Sequence, residues 1–307
     1  SLIKKKIVNK CVLLDNYGSF ISPLKDNYTD YRQQRLEKNE NLIIERGDAA
    51  NFHIVLNIIQ KYKPIYVYHT AALPLAKIDN LNANEASIGS VDATRNIIEN
   101  LVFVQKTSKN YNCKRFIYFS SSMIYGDFKS SKVKEAAQTN PKEIYGTMKL
   151  AGEIITKGLC NYYNLPYTTI RPSAVYGPGD MNQRVSQIFI EKAIKGLKIN
   201  VHGKDEKLDF TYITDLVEGV ILASTKNNGI NNTFNITNGK SRTLLDFVKI
   251  LKKFFPKLKY TIKNRDNFRP SRGTLSISKA NKLLGYKPKT TLENGVKKYL
   301  KYFNKIN

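Results

Sequence analysis

The sequence predicts an α/β protein in which a doubly wound parallel sheet is followed by a smaller α/β cap. Apolar, β-rich runs alternate with amphipathic stretches over residues 1–177, and shorter elements of both kinds fill residues 178–307. Alternation of strands and helices is typical of a parallel sheet with helices on both faces. In such sheets the ligand lies at the carboxyl ends of the strands.

The elements of the first part follow from two patterns. Short apolar runs bounded by polar or turn residues predict buried strands, and longer stretches with apolar residues at helical spacing predict helices. The predicted strands are residues 11–15, 41–48, 64–72, 114–122 and 166–177. The predicted helices are residues 51–62, 85–109 and 143–163. Polar or small residues stand at the ends of four strands: Asp15, Asp48, Ala71–Ala72 and Ser120–Ser122.

The cap is predicted from the residues that follow "VYGPGD" (175–180). Its predicted elements are a helix at 183–196, a strand near 199–202, a strand–helix unit at 209–224, a strand at 234–237, a helix at 243–255 and a terminal helix. No repeat or low-complexity linker separates the two parts. We therefore expect two domains, residues 1–177 and 178–307, that are partly interleaved.

Tyr145 and Lys149 carry the strongest chemical signal. They are four residues apart, so both side chains lie on one face of the predicted helix. A free tyrosine has a pKa near ~10, and a nearby cation favours the phenolate and makes it a better base. Ser121 can hydrogen-bond the same substrate hydroxyl. The three side chains suit removal of a proton from an alcohol while a hydride leaves the same carbon; for Tyr-x-x-x-Lys alone, an exposed amphipathic helix is the alternative.

The charge of the chain is strongly positive. Fifty Lys and Arg residues stand against 25 Asp and Glu residues, which gives a net charge of +25. Clustered cations would favour a nucleic-acid-binding protein, but here the lysines are spread along the whole chain. We therefore expect a solvated surface that attracts an anionic substrate. A noncatalytic or nucleic-acid-binding protein is the alternative, and salt-sensitive RNA retention without sugar-nucleotide binding would favour it.

Several classes of protein are disfavoured by composition. The sequence contains no run of about 18 apolar residues, so no membrane span is expected, and its first ten residues lack the features of a secretory signal. Three scattered cysteines and three histidines without ligand spacing argue against a disulfide framework and against a metal site. A cytoplasmic protein is expected.

Motifs along essentially the whole chain resemble those of extended short-chain dehydrogenase/reductases, and specifically the nucleotide-sugar epimerase/dehydratase family. The matching segments are "LLDN" (13–16), "RGDAAN" (46–51), "HTAA" (69–72), "SVDATRNIIE" (90–99), "FSSSMIYGD" (119–127), "YGTMK" (145–149), "RPSAVYGPGD" (171–180), "DFTYITDL" (209–216) and "SKANKLLGYKP" (278–288). The resemblance implies a Rossmann-type domain that binds NAD, a cap that binds a nucleotide sugar, and a homodimer formed through helices 85–105 and 143–163. It also makes polysaccharide precursor synthesis the expected pathway.

The resemblance assigns roles to individual residues. Ser121, Tyr145 and Lys149 would be catalytic. Asp15 would accept hydrogen bonds from the adenosine ribose. The implied cofactor contacts are Asp15, Asn16, Asp48, Ala49, Ala71, Ala72, Ser120, Tyr145, Lys149 and Pro172. The implied substrate contacts are Ser122, Met123, Arg184, Arg269 and Arg272, since the fork geometry of arginine suits the diphosphate.

Position 123 discriminates among the reactions of the family. Relatives that dehydrate carry an Asp-Glu pair where this chain has Ser122 and Met123, because elimination needs an acid and a base. A thioether has no proton to exchange. Epimerisation at C4 through a 4-keto intermediate is therefore expected, with a nucleotide-keto-sugar reductase or a dehydratase of the same family as the alternative.

The start of the chain departs from the family. Its members open with a strand and a glycine-rich turn that leads into a helix whose N-terminus binds the pyrophosphate, whereas residues 1–10 resemble the end of that helix. We therefore expect roughly 15–20 further residues before Ser1. We also expect an empty strand position between the strands at 11–15 and 64–72.

Overall fold

The computed structural model of the protein describes residues 1–16, 39–72, 82–180, 183–266 and 268–303. Its strands are β1 (Cys11–Asp15), β2 (Leu42–Arg46), β3 (Tyr66–His69), β4 (Arg115–Phe119), β5 (Lys132–Val133), β6 (Tyr167–Arg171), β7 (Val175–Tyr176), β8 (Ile199–His202), β9 (Lys207–Leu208), β10 (Thr211–Tyr212), β11 (Asn232–Asn235), β12 (Arg242–Thr243), β13 (Tyr260–Lys263) and β14 (Thr274–Leu275). The five strands predicted for the first part are present.

The helices alternate with these strands. They are α1 (Phe52–Tyr62), α2 (Ala83–Ser87), α3 (Ala93–Thr107), α4 (Ile144–Tyr162), α5 (Val185–Ile194), α6 (Ile213–Thr225), α7 (Leu244–Phe254), α8 (Ser278–Leu284) and α9 (Leu292–Phe303). A π-helical turn at Ile88–Asp92 joins α2 to α3, so the predicted helix at 85–109 is one interrupted helix. The predicted strand at 166–177 is divided into β6 and β7, and Ala174 just before β7 has a positive φ of 38°.

The central sheet has the strand order β11-β6-β4-β3, and all of its pairings are parallel. β1 and β2 form a separate parallel pair. Among the described strands, none is hydrogen-bonded between β1 and β3. The expectation of a further segment before Ser1 stays a prediction.

The two predicted parts share the central sheet. β11 comes from the second half of the sequence, yet it pairs with β6 along four residues. Helices α6 and α8 also pack on this sheet through an apolar cluster that includes Leu216, Phe234 and Leu284. A second apolar cluster is formed mainly by α5, α7 and α9, and Phe247 lies in it. These contacts interleave the two halves; a division at residue 177 stays a prediction.

No helix in the described part of the chain is long and apolar enough to cross a membrane.

Candidate active site

Helix α4 carries Tyr145 and Lys149 and lies directly against β4. The carboxyl oxygen Oε1 of Glu143 caps the start of the helix by accepting from the backbone N of Gly146 at 2.9 Å. One turn beyond Lys149, Gly152 permits close contact, because a Cβ there would lie 2.1 Å from the Tyr118 hydroxyl oxygen. That hydroxyl donates to the Lys149 carbonyl at 3.2 Å. The packing fixes where both functional side chains stand along β4.

The serine-rich segment ends β4 beside these side chains. Ser121 has an extended backbone and its Oγ accepts from the backbone N of Met123 at 3.2 Å, which starts a short 3₁₀ turn. Its side chain also lies close enough to Tyr145 to lower the pKa of the phenol. The structure thus brings Ser121, Tyr145 and Lys149 together at the carboxyl end of β4, where ligands of such sheets bind.

The electrostatics of Tyr145 differ from the sequence expectation. Burial raises the pKa of Tyr145, because a phenolate is poorly solvated inside the protein. The Arg184 guanidinium and the Ser121 side chain act to lower this pKa, whereas Glu143 acts to raise it. Arg184, from the start of α5, is therefore a second cation that favours the phenolate, whereas sequence reasoning named only Lys149 for that role.

Lys149 is almost completely buried, with 3% of its surface exposed. Its Nζ donates to the Phe119 carbonyl at 2.7 Å and lies 5.9 Å from the centre of the Tyr145 ring. Burial lowers the pKa of Lys149 to about 8, and Glu153 acts in the opposite direction. The ammonium is thus held at the end of β4 by a backbone carbonyl, ready to donate to a second ligand.

The residues expected to contact the adenosine end lie together after β1 and β2. Asn16 donates from Nδ2 to Oδ2 of Asp48 at 3.1 Å, and Oδ1 of Asp48 accepts from the backbone N of Ala50 at 2.8 Å. The Ala49 carbonyl accepts from Nδ2 of Asn96 at 2.7 Å, which ties this loop to α3. Asp15 ends β1 and is half-buried. A carboxylate at this strand end is suited to a ribose diol.

The remaining expected cofactor contacts follow β3, β4 and β6. Ala71 and Ala72 come directly after β3. The Pro172 carbonyl accepts from the backbone N of Ser122 at 2.9 Å, so it lies beside the end of β4. Ser120 is 3% exposed, and its Oγ has no hydrogen-bond partner among the residues that the structure describes. The Ser120 hydroxyl beside Lys149 and the Asp15 carboxylate at the end of β1 fit the two ends of a dinucleotide. Asp15 would hold the adenosine end, and Tyr145 and Lys149 would hold the nicotinamide end.

The residues expected to contact substrate divide into two groups. Ser122 and Met123 are buried next to Ser121, and the Ser122 hydroxyl donates to Oγ of Ser173 at 3.2 Å. Arg184 lies near Tyr145 and donates to the Val175 carbonyl at 3.1 Å.

The two remaining arginines differ in what they already bind. Arg269 is exposed and paired with Asp266 at 3.5 Å. Arg272 makes no hydrogen bond or ion pair with any described residue, and burial lowers its pKa to about 10. Of the two, Arg272 has the guanidinium that is free for an anion.

Sequence reasoning missed four polar residues around the site. Glu143 caps α4, and Glu153 forms a buried ion pair with Arg171. His69 is buried beside Lys149, and burial lowers its pKa to about 3, so it stays neutral. The spacing of four between Lys149 and Glu153 was the one available sequence signal. The strand and helix that hold the ion pair meet only in the folded chain.

Comparisons with known proteins find similar enzymes with the same overall fold. The UDP-glucuronic acid 4-epimerase from Bacillus cereus, solved with UDP-glucuronic acid and NAD, is 25% identical; its TM-score is 0.87, covering 100% of this chain and 94% of that one. The UDP-glucose 4-epimerase from Thermotoga maritima, solved with UDP-glucose, is 26% identical, with a TM-score of 0.84 and coverage of 99% and 94%. UDP-glucuronate 4-epimerase 4 from Arabidopsis thaliana is 27% identical, covering 91% of this chain and 68% of that protein.

A family model settles the membership. The model of the NAD dependent epimerase/dehydratase family matches residues 14–237, which is well over half of the chain. The expected fold class, the resemblance and the use of NAD as cofactor are confirmed at the level of this family and its solved members. The central parallel sheet and the grouping of Ser121, Tyr145 and Lys149 at the end of β4 are consistent with this match. As the family match shows, the chain belongs to the NAD dependent epimerase/dehydratase family.

Proposed function

We propose that the protein interconverts the C4 epimers of a nucleotide-diphosphate sugar through a 4-keto intermediate. The observation that carries the proposal is the meeting of Ser121, Tyr145 and Lys149 at the carboxyl end of β4. The adjoining positions hold the hydroxyl of Ser122 and the thioether of Met123, and neither side chain has a carboxyl group for elimination. Hydride transfer with a single acid–base residue therefore suits this site better than dehydration.

The proton passes through Tyr145. As a phenolate it takes the proton of the C4 hydroxyl, and it returns the proton once the keto sugar has turned its other face. Ser121 lies beside Tyr145 and would orient the same hydroxyl. Lys149, anchored on the Phe119 carbonyl, keeps donors for the ribose of the cofactor. NAD, when bound, would supply the hydride acceptor and donor for this carbon.

Charge at the cleft supports an anionic substrate. Arg184 and Arg272 present guanidinium groups near Tyr145 and Glu143, and guanidinium groups suit diphosphate and carboxylate oxygens. Arg269 is offered as a third contact. We infer UDP-glucuronate and UDP-glucose as the first substrates to test, since these are named for the similar solved structures. A product of this class would serve as a polysaccharide precursor.

We also infer a homodimer in the cytoplasm. The outer face of α4 exposes 65% of Ile154, and α3 and the turn before it expose 48% of Phe103 and 43% of Ile88. Large apolar side chains on neighbouring helices favour burial against a partner. Sedimentation of the purified protein measures the association, and a monomer at micromolar concentration would contradict it.

The reaction is tested with a panel of UDP-, GDP- and dTDP-linked hexoses and uronates, incubated with the protein and NAD. We expect one pair of C4 epimers to equilibrate from either side, followed by NMR of the anomeric protons. Net oxidation or reduction of NAD in proportion to product would instead show a reductase, and a 4-keto-6-deoxy product would show a dehydratase.

A further inference from the structure

Glu153 and Arg171 form a buried ion pair between α4 and β6. Nε of Arg171 donates to Oε1 of Glu153 at 2.8 Å, and Nη2 donates to Oε2 at 2.7 Å. Glu153 is 9% exposed and Arg171 is 7% exposed. Burying two charges costs free energy that their attraction offsets only in good geometry. The two parallel hydrogen bonds provide that geometry and fix the carboxylate.

A second layer of hydrogen bonds holds Arg171 in place. Its Nη1 donates to the Tyr125 hydroxyl and to the Glu135 carbonyl, both at 2.8 Å. The Tyr125 hydroxyl in turn donates to Oδ1 of Asn235 at 2.8 Å. Asn235 is fully buried in β11. Every partner in this layer is supplied by a different element, so the guanidinium cannot turn away without breaking several contacts.

The carboxylate stands one helical turn after Lys149. Side chains at this spacing are neighbours on a helix surface. Burial lowers the pKa of Lys149, and the Glu153 carboxylate acts against this lowering. The other titratable groups facing the ammonium are His69 from β3, Tyr118 from β4 and Tyr145 from α4. In the protein without substrate, none of these three is charged at neutral pH. Burial lowers the pKa of the imidazole, which leaves it unprotonated, and raises the pKa values of both phenols, which leaves them protonated.

We propose that Glu153, locked by Arg171, is a positioning residue that keeps Lys149 a cation at the pH at which Tyr145 must act. The inference rests on the proposed function, since it gives Lys149 a part in the reaction. Burial alone would drive the ammonium to lose its proton. A carboxylate that could rotate towards solvent would counter this poorly, whereas one held by two hydrogen bonds acts at a fixed distance. Arg171 therefore contributes through Glu153 and not through the substrate.

The first test removes the negative charge of Glu153 with little change in the shape of its side chain. In Glu153→Gln, the pKa of Lys149 should fall by about one unit, which leaves about one tenth as much ammonium at pH values above it. Lysine labelled with ¹³C at Cε reports this titration directly, and the signal is assigned by its loss in Lys149→Met. The falling limb of the kcat profile should move to lower pH by the same amount, with little change near pH 6.5.

Two further variants separate charge from stability. Glu153→Asp keeps the carboxylate and should restore the pKa of Lys149 to near the value in the unchanged protein. Glu153→Gln combined with Arg171→Met leaves no unpaired buried charge and decides the question if the single variant does not fold. It should also lower the pKa of Lys149, by less than the single change, because a positive neighbour is removed as well.

The outcomes distinguish this inference from the proposed function. Unmoved titration of Lys149 in both Glu153→Gln and the double variant would overturn the positioning role, even if their stability changed. Turnover that survives in Tyr145→Phe would overturn the proposed function instead. A shifted titration of Lys149 without any shift of the kcat profile would show that its charge has no part in turnover and would also overturn the inference.

Discussion

The two sides of the proposed site bury different kinds of side chain. On the sheet side, Lys149, Glu153 and Arg171 are each less than 10% exposed. On the cap side, the packed cluster of α5, α7 and α9 buries aromatic rings, with Phe247 in ring contact with Phe210 at 5.2 Å. Burial of rings stabilises a fold, while burial of charge costs stability unless it is fully paired. The aromatic cluster stabilises the cap, whereas this part of the sheet edge holds buried charge for chemistry.

A buried acid of the cap shows a different way to hold charge. Asp209 is fully buried and accepts from the Thr237 hydroxyl and from the backbone N of Gly239 and Leu275. No cation pairs with it among the described residues, and burial raises its pKa to about 6. Glu153 has Arg171 instead. Neutral donors can tie loops together, but a fixed ion pair can also set the field at a neighbouring group.

The largest expected effect comes from a substitution on the sheet side of the site. Tyr145→Phe removes the proton acceptor, so turnover should fall by about 10³-fold or more. The free energy of unfolding should stay nearly unchanged, because the ring is retained. Initial rates on the best sugar of the panel, together with urea denaturation, measure both. As a control, Tyr162→Phe changes an exposed ring of the same helix and should leave both quantities unchanged; near-normal turnover in Tyr145→Phe would remove it from the mechanism.

The second largest effect comes from a substitution in the aromatic cluster of the cap. Phe247→Ala empties a site that has no solvent exposure, so the free energy of unfolding should fall by about 3–5 kcal/mol. Phe254 lies on the same helix and is 43% exposed, so Phe254→Ala should cost about 1 kcal/mol or less. Urea denaturation measures both variants. Equal losses would mean that the aromatic cluster does not hold the cap.

The third prediction sharpens the comparison through pH. The folded protein lowers the pKa of Lys149 from 10.5 to about 8, so the unfolded chain binds more protons between these values. Stability should therefore rise as pH increases from 8 to 10.5, by up to about 3 kcal/mol. Subtracting the pH dependence of Lys149→Met isolates this gain, and Lys157→Met, in an exposed position of α4, should reproduce the unchanged protein. A flat difference would mean that Lys149 is solvated.

The smallest effect concerns a helix end in the cap. Oγ1 of Thr243 accepts from the backbone N of Asp246 at 2.9 Å, and Oδ2 of Asp246 accepts from the backbone N of Thr243 at 3.1 Å. Thr243→Ala should therefore cost about 1 kcal/mol of unfolding free energy. Thr243→Ser keeps the acceptor and should cost much less. No difference between the two variants in urea denaturation would mean that the cap contributes nothing.

Some of the fold was predictable because it depends on local pattern. The strands β1 to β4 and helix α4 were predicted within a few residues, since apolar runs and helical spacing report which face of each element is buried. The short strands β5, β9, β12 and β14 were missed, because two-residue strands carry no pattern, and the four-residue strand β13 was missed as well. The pairing of β11 with β6 joins positions about 60 residues apart along the chain, and local spacing says nothing about such a contact.

The sequence by itself determined the alternation of strands and helices, the serines at the end of β4, and the spacing that aligns Tyr145 with Lys149. These follow from periodicity within single segments. Only the tertiary structure decided that Arg184 acts on Tyr145 in addition to Lys149 and that Glu153 meets Arg171. Both depend on which distant segments pack together and how much solvent they exclude, and desolvation is a property of the folded surroundings that no residue carries alone.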